Sequence, residues 1–141
     1  MIFIFGGRYQ GKTAYALAAY GETLKVCDLA EEKVEKMYEA DIIKNVQEGV
    51  KQLLAQDLSP RAYFAKNIKR LNKKIIIGTE IGCGLVPLEE KERLWRDETG
   101  LAFQLLAAKA EKVERIWAGI PQTIKQESSA VDNGSKIQHN L

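Results

Sequence analysis

The sequence predicts an α/β domain built on a mostly parallel sheet. Short apolar runs rich in β-branched residues occur at Ile2–Phe5, Leu24–Asp28, Lys74–Gly78 and Arg115–Ala118. Each reads as a buried strand, and helical patterns separate them, which is the signature of βαβ units. The first run also leads straight into G-x-x-x-x-G-K-T, a glycine loop between strand and helix.

That loop fixes the first elements. Gly6, Gly11, Lys12 and Thr13 stand at the set positions of a phosphate-binding P-loop, and the alanine-rich stretch Ala14–Tyr20 supplies the helix that follows. Backbone N–H groups from Gly6, Gly7, Arg8, Tyr9, Gln10 and Gly11 can curl around phosphate oxygens, helped by the positive end of the helix dipole. Lys12 is placed to reach the β and γ phosphates and the Thr13 hydroxyl to bind Mg²⁺, so the expected ligand is ATP or GTP with Mg²⁺. The pattern arises by accident in roughly one chain of this length in two hundred, and its strand and helix context lowers that further.

After the second strand, Glu31–Leu71 reads as helical. Val46, Val50, Leu53 and Leu54 recur at helical spacing, and Ser59-Pro60 marks a new helix start. The third strand runs into the glycine-rich TEIGCGLVP. A long helix is expected over Leu88–Lys112, with Leu94, Leu101, Leu105 and Ala108 facing the core. Gly100 lies inside it at a cost of about 1 kcal/mol against alanine, which predicts close packing or a bend there. After Lys125 the sequence turns polar. The expected organisation is a nucleotide-binding domain over residues 1–125 and a disordered tail over 126–141.

Composition narrows the function. The 141 residues suffice for one domain with its own core, and 21 basic against 19 acidic residues give a net charge of +2. Nothing in that balance points to a nucleic acid or a membrane surface. Cys27 and Cys83 are far apart and form no metal-binding spacing, which predicts free thiols in a reducing cytoplasm. The start lacks a basic flank for a signal peptide, and no apolar run is long enough to span a bilayer.

Phosphoryl transfer needs charge neutralisation and positioning, so an acidic group is expected at a neighbouring strand end. Asp28 and Glu80 both qualify, as metal ligand or as acceptor for the substrate's proton. The plain alternative for Asp28 is a cap on the helix expected near Glu31. Gly82, Gly84 and Pro87 could shape a ligand wall or simply turn the chain. Arg93 and Arg96 could grip phosphate, although a charged helix face is usually only solvated. Asn72–Ile75 begins like a guanine-reading element but lacks its aspartate. His139 is the only histidine and lies in the tail.

GGRYQGKT, TEIGCGLVP, ERLWRDETGLAFQLLA and AGIPQTIK, in that order, resemble the bifunctional adenosylcobinamide kinase / adenosylcobinamide-phosphate guanylyltransferase family of cobalamin biosynthesis. The resemblance covers the first dozen residues and most of Lys74–Lys125. It implies a RecA-like, three-layer P-loop NTPase fold and a homotrimer. It also implies phosphorylation of a corrinoid hydroxyl by a nucleoside triphosphate, a reaction in which Lys12 and Glu80, chosen above from the residues, are the expected catalytic groups. In the family, GMP is then transferred through a guanylylated histidine. This chain departs at Thr79, where the family has Asn, and at Phe103-Gln104, where it usually has Asn-Gln. Its middle region is shortened, and Asp28 to Arg70 contains no histidine. The expectation is a kinase without the guanylyltransferase half. The alternatives are a nucleotide- or corrinoid-binding paralogue without chemistry, or a kinase of another small metabolite.

Overall fold

The structure is a computed structural model and describes residues 1–81 and 89–127. In chain order the strands are β1 (Ile2–Gly6), β2 (Val26–Asp28), β3 (Ile42–Lys44), β4 (Ile75–Thr79), β5 (Lys112–Trp117) and β6 (Ile120–Gln126). The helices are α1 (Lys12–Tyr20), α2 (Val46–Ala55), α3 (Pro60–Lys66) and α4 (Glu90–Lys109). Short 3₁₀ segments cover Val34–Glu39 and Ile68–Leu71. The sheet order is β2-β3-β4-β1-β5-β6, all parallel except β6, which returns antiparallel to β5. The predicted α/β class with a mostly parallel sheet is therefore what the chain adopts.

Alternation along the central strands builds a layer on each face. Ile4, Ile42, Ile77 and Ile116 cluster with Ala16 of α1 on one side. Phe3, Ile43, Ile76 and Val113 meet α2, α3 and α4 on the other, through Val50, Leu53, Phe64, Ala102 and Leu106. Because successive side chains point to opposite faces, a parallel strand covered on both sides reads as an unbroken apolar run. IFIF and IIIG are such runs.

Several expectations need correction. The region 31–71 is not continuously helical: β3 lies within it, pairing with β2 and β4. The strand is only three residues long, too short for a periodicity test to separate it from a helical stretch. It stops before Asn45, whose left-handed φ of 59° breaks the extended backbone ahead of α2. The rest of the reading stands. Val46, Val50 and Leu53 are buried, and Ser59 caps α3, its Oγ accepting from the Ala62 N–H at 3.2 Å.

The long helix ends at Lys109, and Lys112 opens β5, which starts three residues before the expected Arg115. Its core face is Thr99, Ala102 and Leu106, continued by Ala110 just past its end. The expected stripe of leucines lies on its flank, and Leu94 is 50% exposed. Small residues on the packing face let the helix approach the sheet, and large ones at its edges mask that signal. Phe103 fills the space left by Gly78: a Cβ on Gly78 would lie 2.4 Å from its ring.

β6 was not anticipated. Its Ile120 and Ile124 are exposed beside Trp117, along the outer edge of the sheet. Gln126 still pairs with Lys112, and the Glu127 N–H donates to the Glu111 carbonyl at 2.8 Å, so the chain remains on the sheet past residue 125. The remainder of the expected tail with His139, and the segment from Gly82 to Leu88 with Cys83, lie outside the described residues. Cys27 is buried and free. No helix among the described residues is long and apolar enough to cross a membrane.

Gly100 contradicts the expected close packing. It is exposed, and a Cβ there would meet nothing within 4 Å. Gly100→Ala should therefore raise stability by about 1 kcal/mol, read as a melting temperature about 3 °C higher. Gly78→Ala should lower it by about 2 kcal/mol, because the Phe103 ring must move.

Candidate functional site

β1 ends at Gly6 against the neighbouring strand β5. A Cβ on Gly6 would sit 2.5 Å from the Ile116 carbonyl oxygen, a backbone atom that cannot give way. Glycine is therefore required for the chain to leave the sheet at that point. The loop then turns through two positive φ values. Tyr9, 93% exposed, takes φ 61°, and Gly11 takes φ 81°. Positive φ values at these two positions curl the loop, and loops of this kind can turn backbone N–H groups toward an anion.

The loop leads into a cavity of about 290 Å³ at the carboxyl ends of the strands. Arg8 to Ala14 form one wall, and Lys44, Asn45, Ile77 and Thr79 form the other. Lys12 is only 8% exposed, and its Nζ donates to the Gly7 carbonyl at 2.6 Å. Burial lowers its pKa from the usual lysine value, the nearby Glu80 carboxylate opposes that shift, and Lys44 adds to it. The ammonium group is held in the mouth of the loop with a partner that a phosphate oxygen can replace.

Four hydrogen bonds to β5 and the turn after it fix the loop and its helix. The turn is Ala118-Gly119, with φ of 50° and 76°, between the paired Trp117 and Ile120. Two positive φ values suit the twist of a two-residue hairpin, though alanine is held there at a cost of about 1 kcal/mol. The Ala118 N–H donates to the Gln10 Oε1, and the Gly119 N–H donates to the Gln10 carbonyl at 2.9 Å. Farther back, Glu114 is buried and accepts hydrogen bonds from Tyr15 and from Tyr20, the latter at 2.6 Å. Both hydroxyls have their pKa raised, by burial first and then by this carboxylate.

The two carboxylates chosen from sequence are placed differently. Glu80 follows β4, its N–H donating to the Gly6 carbonyl at 2.9 Å, and its Oε1 lies 3.4 Å from Arg115 Nε. It is thus next to the loop and shares an ion pair. Asp28 ends β2 and does not line the cavity. Its Oδ1 accepts from the Ala30 N–H at 2.9 Å and from Asn45 Nδ2 at 2.7 Å, leaving Asn45 between it and the opening. The capping role is present, but in a turn, since no helix starts at Glu31. Arg93 and Arg96 stay away from the cavity, and Arg96 pairs with Asp97 at 3.7 Å.

Sequence reasoning missed Lys44, Asn45, Gln47 and Arg115. Gln47 is buried, its Oε1 accepting from the Thr79 N–H at 2.9 Å and its carbonyl from Trp95 Nε1 at 2.8 Å, so it ties the end of β4 to α2 and α4. Asp41-Ile-Ile-Lys44-Asn45 was the available signal. It is an apolar pair bounded by residues that favour turns.

The family match bears on a part of the chain away from the loop. Residues 55–124 match the family described as cobinamide kinase / cobinamide phosphate guanyltransferase. One relative is the bifunctional adenosylcobalamin biosynthesis protein CobP of Pseudomonas aeruginosa, 40% identical over 53 residues. That alignment takes in 38% of this chain and 31% of the relative. The matched residues include β4, α4, β5 and most of β6, and β1 with the phosphate loop is inserted between β4 and β5. Over residues 55–124, the chain is similar to the cobinamide kinase / cobinamide phosphate guanyltransferase family.

Proposed function

We propose that this protein transfers the γ-phosphoryl group of ATP or GTP to a hydroxyl of adenosylcobinamide, as a kinase in cobalamin biosynthesis. The observation that carries the reading is the nearly buried Lys12 ammonium in the mouth of the glycine loop, on strands that frame a cobinamide kinase segment. The N–H groups from Gly7 to Thr13 hold the β and γ phosphates, and Lys12 leaves the Gly7 carbonyl to offset charge on the transferred group. The acceptor oxygen bonds to the γ phosphorus as the bond to the bridging oxygen breaks. The nucleoside diphosphate leaves, and the hydroxyl proton passes to Glu80 or to water.

Thr13 and Glu80 are the residues that would hold Mg²⁺, which supplies charge neutralisation on the phosphates. A hydroxyl and a carboxylate fit this ion, because Mg²⁺ usually retains waters and takes its remaining ligands from substrate phosphates. Asp28 has no part in the proposal, its carboxylate being committed to Asn45 and Ala30. The guanylyltransferase step is left out, because the only histidine of the sequence is His139. Assembly as a homotrimer belongs to the same proposal, supported by the apolar surface of Trp117, Ile120 and Ile124, and sedimentation at several concentrations tests it.

Purified protein with Mg²⁺, ATP or GTP and adenosylcobinamide should yield a phosphorylated corrinoid, and Lys12→Ala should reduce the rate by about 100-fold or more. A wild-type protein that makes no product with either nucleotide contradicts the reading.

The lowered pKa of Lys12 adds a pH dependence. A lysine must be protonated to grip phosphate, so triphosphate affinity should fall as pH rises, before the ordinary lysine range is reached. Lys12→Arg, which stays charged, should flatten that alkaline limb in a calorimetric pH series.

A further inference from the structure

Lys44 is the cavity residue that the phosphate loop does not explain. It closes β3, and β4 lies between that strand and β1. Two strand spacings, about 10 Å, therefore separate its backbone from the strand that feeds the loop. Its side chain nevertheless lines the same cavity as Lys12.

We propose that Lys44 is a second phosphate-binding cation, which grips the terminal phosphate of the bound nucleoside triphosphate from the wall opposite Lys12. This rests on the nucleotide-binding reading above and adds a residue that distinguishes triphosphate from diphosphate.

Charge is the first argument. Two ammonium groups share one opening, close enough that Lys44 contributes to lowering the pKa of Lys12. Among the described residues no carboxylate pairs with Lys44: Glu80 faces Arg115 at 3.4 Å, and Asp28 accepts from Asn45 at 2.7 Å. Held together without such a partner, two cations repel, and a polyanion between them relieves the repulsion.

Preorganisation is the second. Asn45, directly after Lys44, is held in its left-handed conformation by its bond to Asp28 and by the Gln47 Nε2 donating to its Oδ1 at 3.1 Å. The half-buried Lys44 therefore leaves the strand from a fixed backbone. A solvated surface lysine needs no such support.

Direction is the third. On the β5 side the Ala118-Gly119 turn closes against Gln10. The cavity runs from the loop to the ends of β4 and β3, so a phosphate chain leaving the loop through it meets Lys44.

Calorimetry on the full chain with Mg²⁺ tests this, comparing a non-hydrolysable triphosphate with the matching diphosphate for ATP and GTP. Lys44→Gln should weaken the triphosphate by about tenfold or more while leaving the diphosphate nearly unchanged. Lys44→Arg should retain most of the preference, and Lys12→Ala should weaken both ligands. Lys44→Met, which keeps the apolar stem, should repeat the Gln result if that variant proves unstable. Unaltered triphosphate binding by folded Lys44→Gln, or equal loss of both ligands, overturns this inference and leaves the nucleotide-binding reading intact. A wild-type chain that binds neither nucleotide overturns both.

Discussion

The phosphate loop depends on how closely β5 approaches the end of β1. Gly6 has the Ile116 carbonyl where a side chain would start, so the first turn of the loop is pressed against a neighbouring backbone. The same strand continues into the hairpin turn whose N–H groups hold Gln10, and its buried Glu114 ties α1 down through Tyr15 and Tyr20. A glycine loop alone is floppy and expensive to order around a ligand. Here the ordering cost is met during folding, and the loop is shaped before any ligand arrives.

This arrangement explains why the two lines of functional argument sit in different parts of the chain. The phosphate loop lies in the first residues, and the family match covers residues 55–124. Parallel pairing of β1 with both β4 and β5 brings them together, placing Glu80 beside Gly6 and Arg115 beside Glu80. The carboxyl ends of adjoining parallel strands are where open α/β sheets place their ligands. Local charge follows from the same geometry. Lys12 is partly desolvated by the walls, Glu80 favours its charged form, and Lys44 opposes it.

Much of this was legible in the sequence, and the parts that were not have physical reasons. GGRYQGKT announced its loop because each position has a separate backbone or chemical requirement. Ser59-Pro60 announced α3 because a hydroxyl cap followed by proline suits a helix start. Ile42-Ile43 did not announce β3, since two apolar residues carry no period, and the strand is recognised only by its partners β2 and β4. Lys44 and Asn45 went unseen with it. β6 was hidden for another reason: every residue but Lys125 is exposed, so no buried face imposes an alternation on the sequence. On α4, the expected leucines flank a packing face made of Thr99, Ala102 and Leu106, and those flanking residues drew attention to the wrong side. Gly100 was read on general grounds as a place of close packing or a bend, whereas only three-dimensional neighbours could show that it faces open space.

A crystal structure with Mg²⁺ and a non-hydrolysable triphosphate tests the central claim most directly. The account predicts phosphate oxygens within the ring of N–H groups from Gly7 to Thr13, the Lys12 Nζ transferred from the Gly7 carbonyl to a phosphate, and the Ala118-Gly119 turn still on Gln10. A nucleotide bound elsewhere, with Lys12 still on the Gly7 carbonyl, would contradict it.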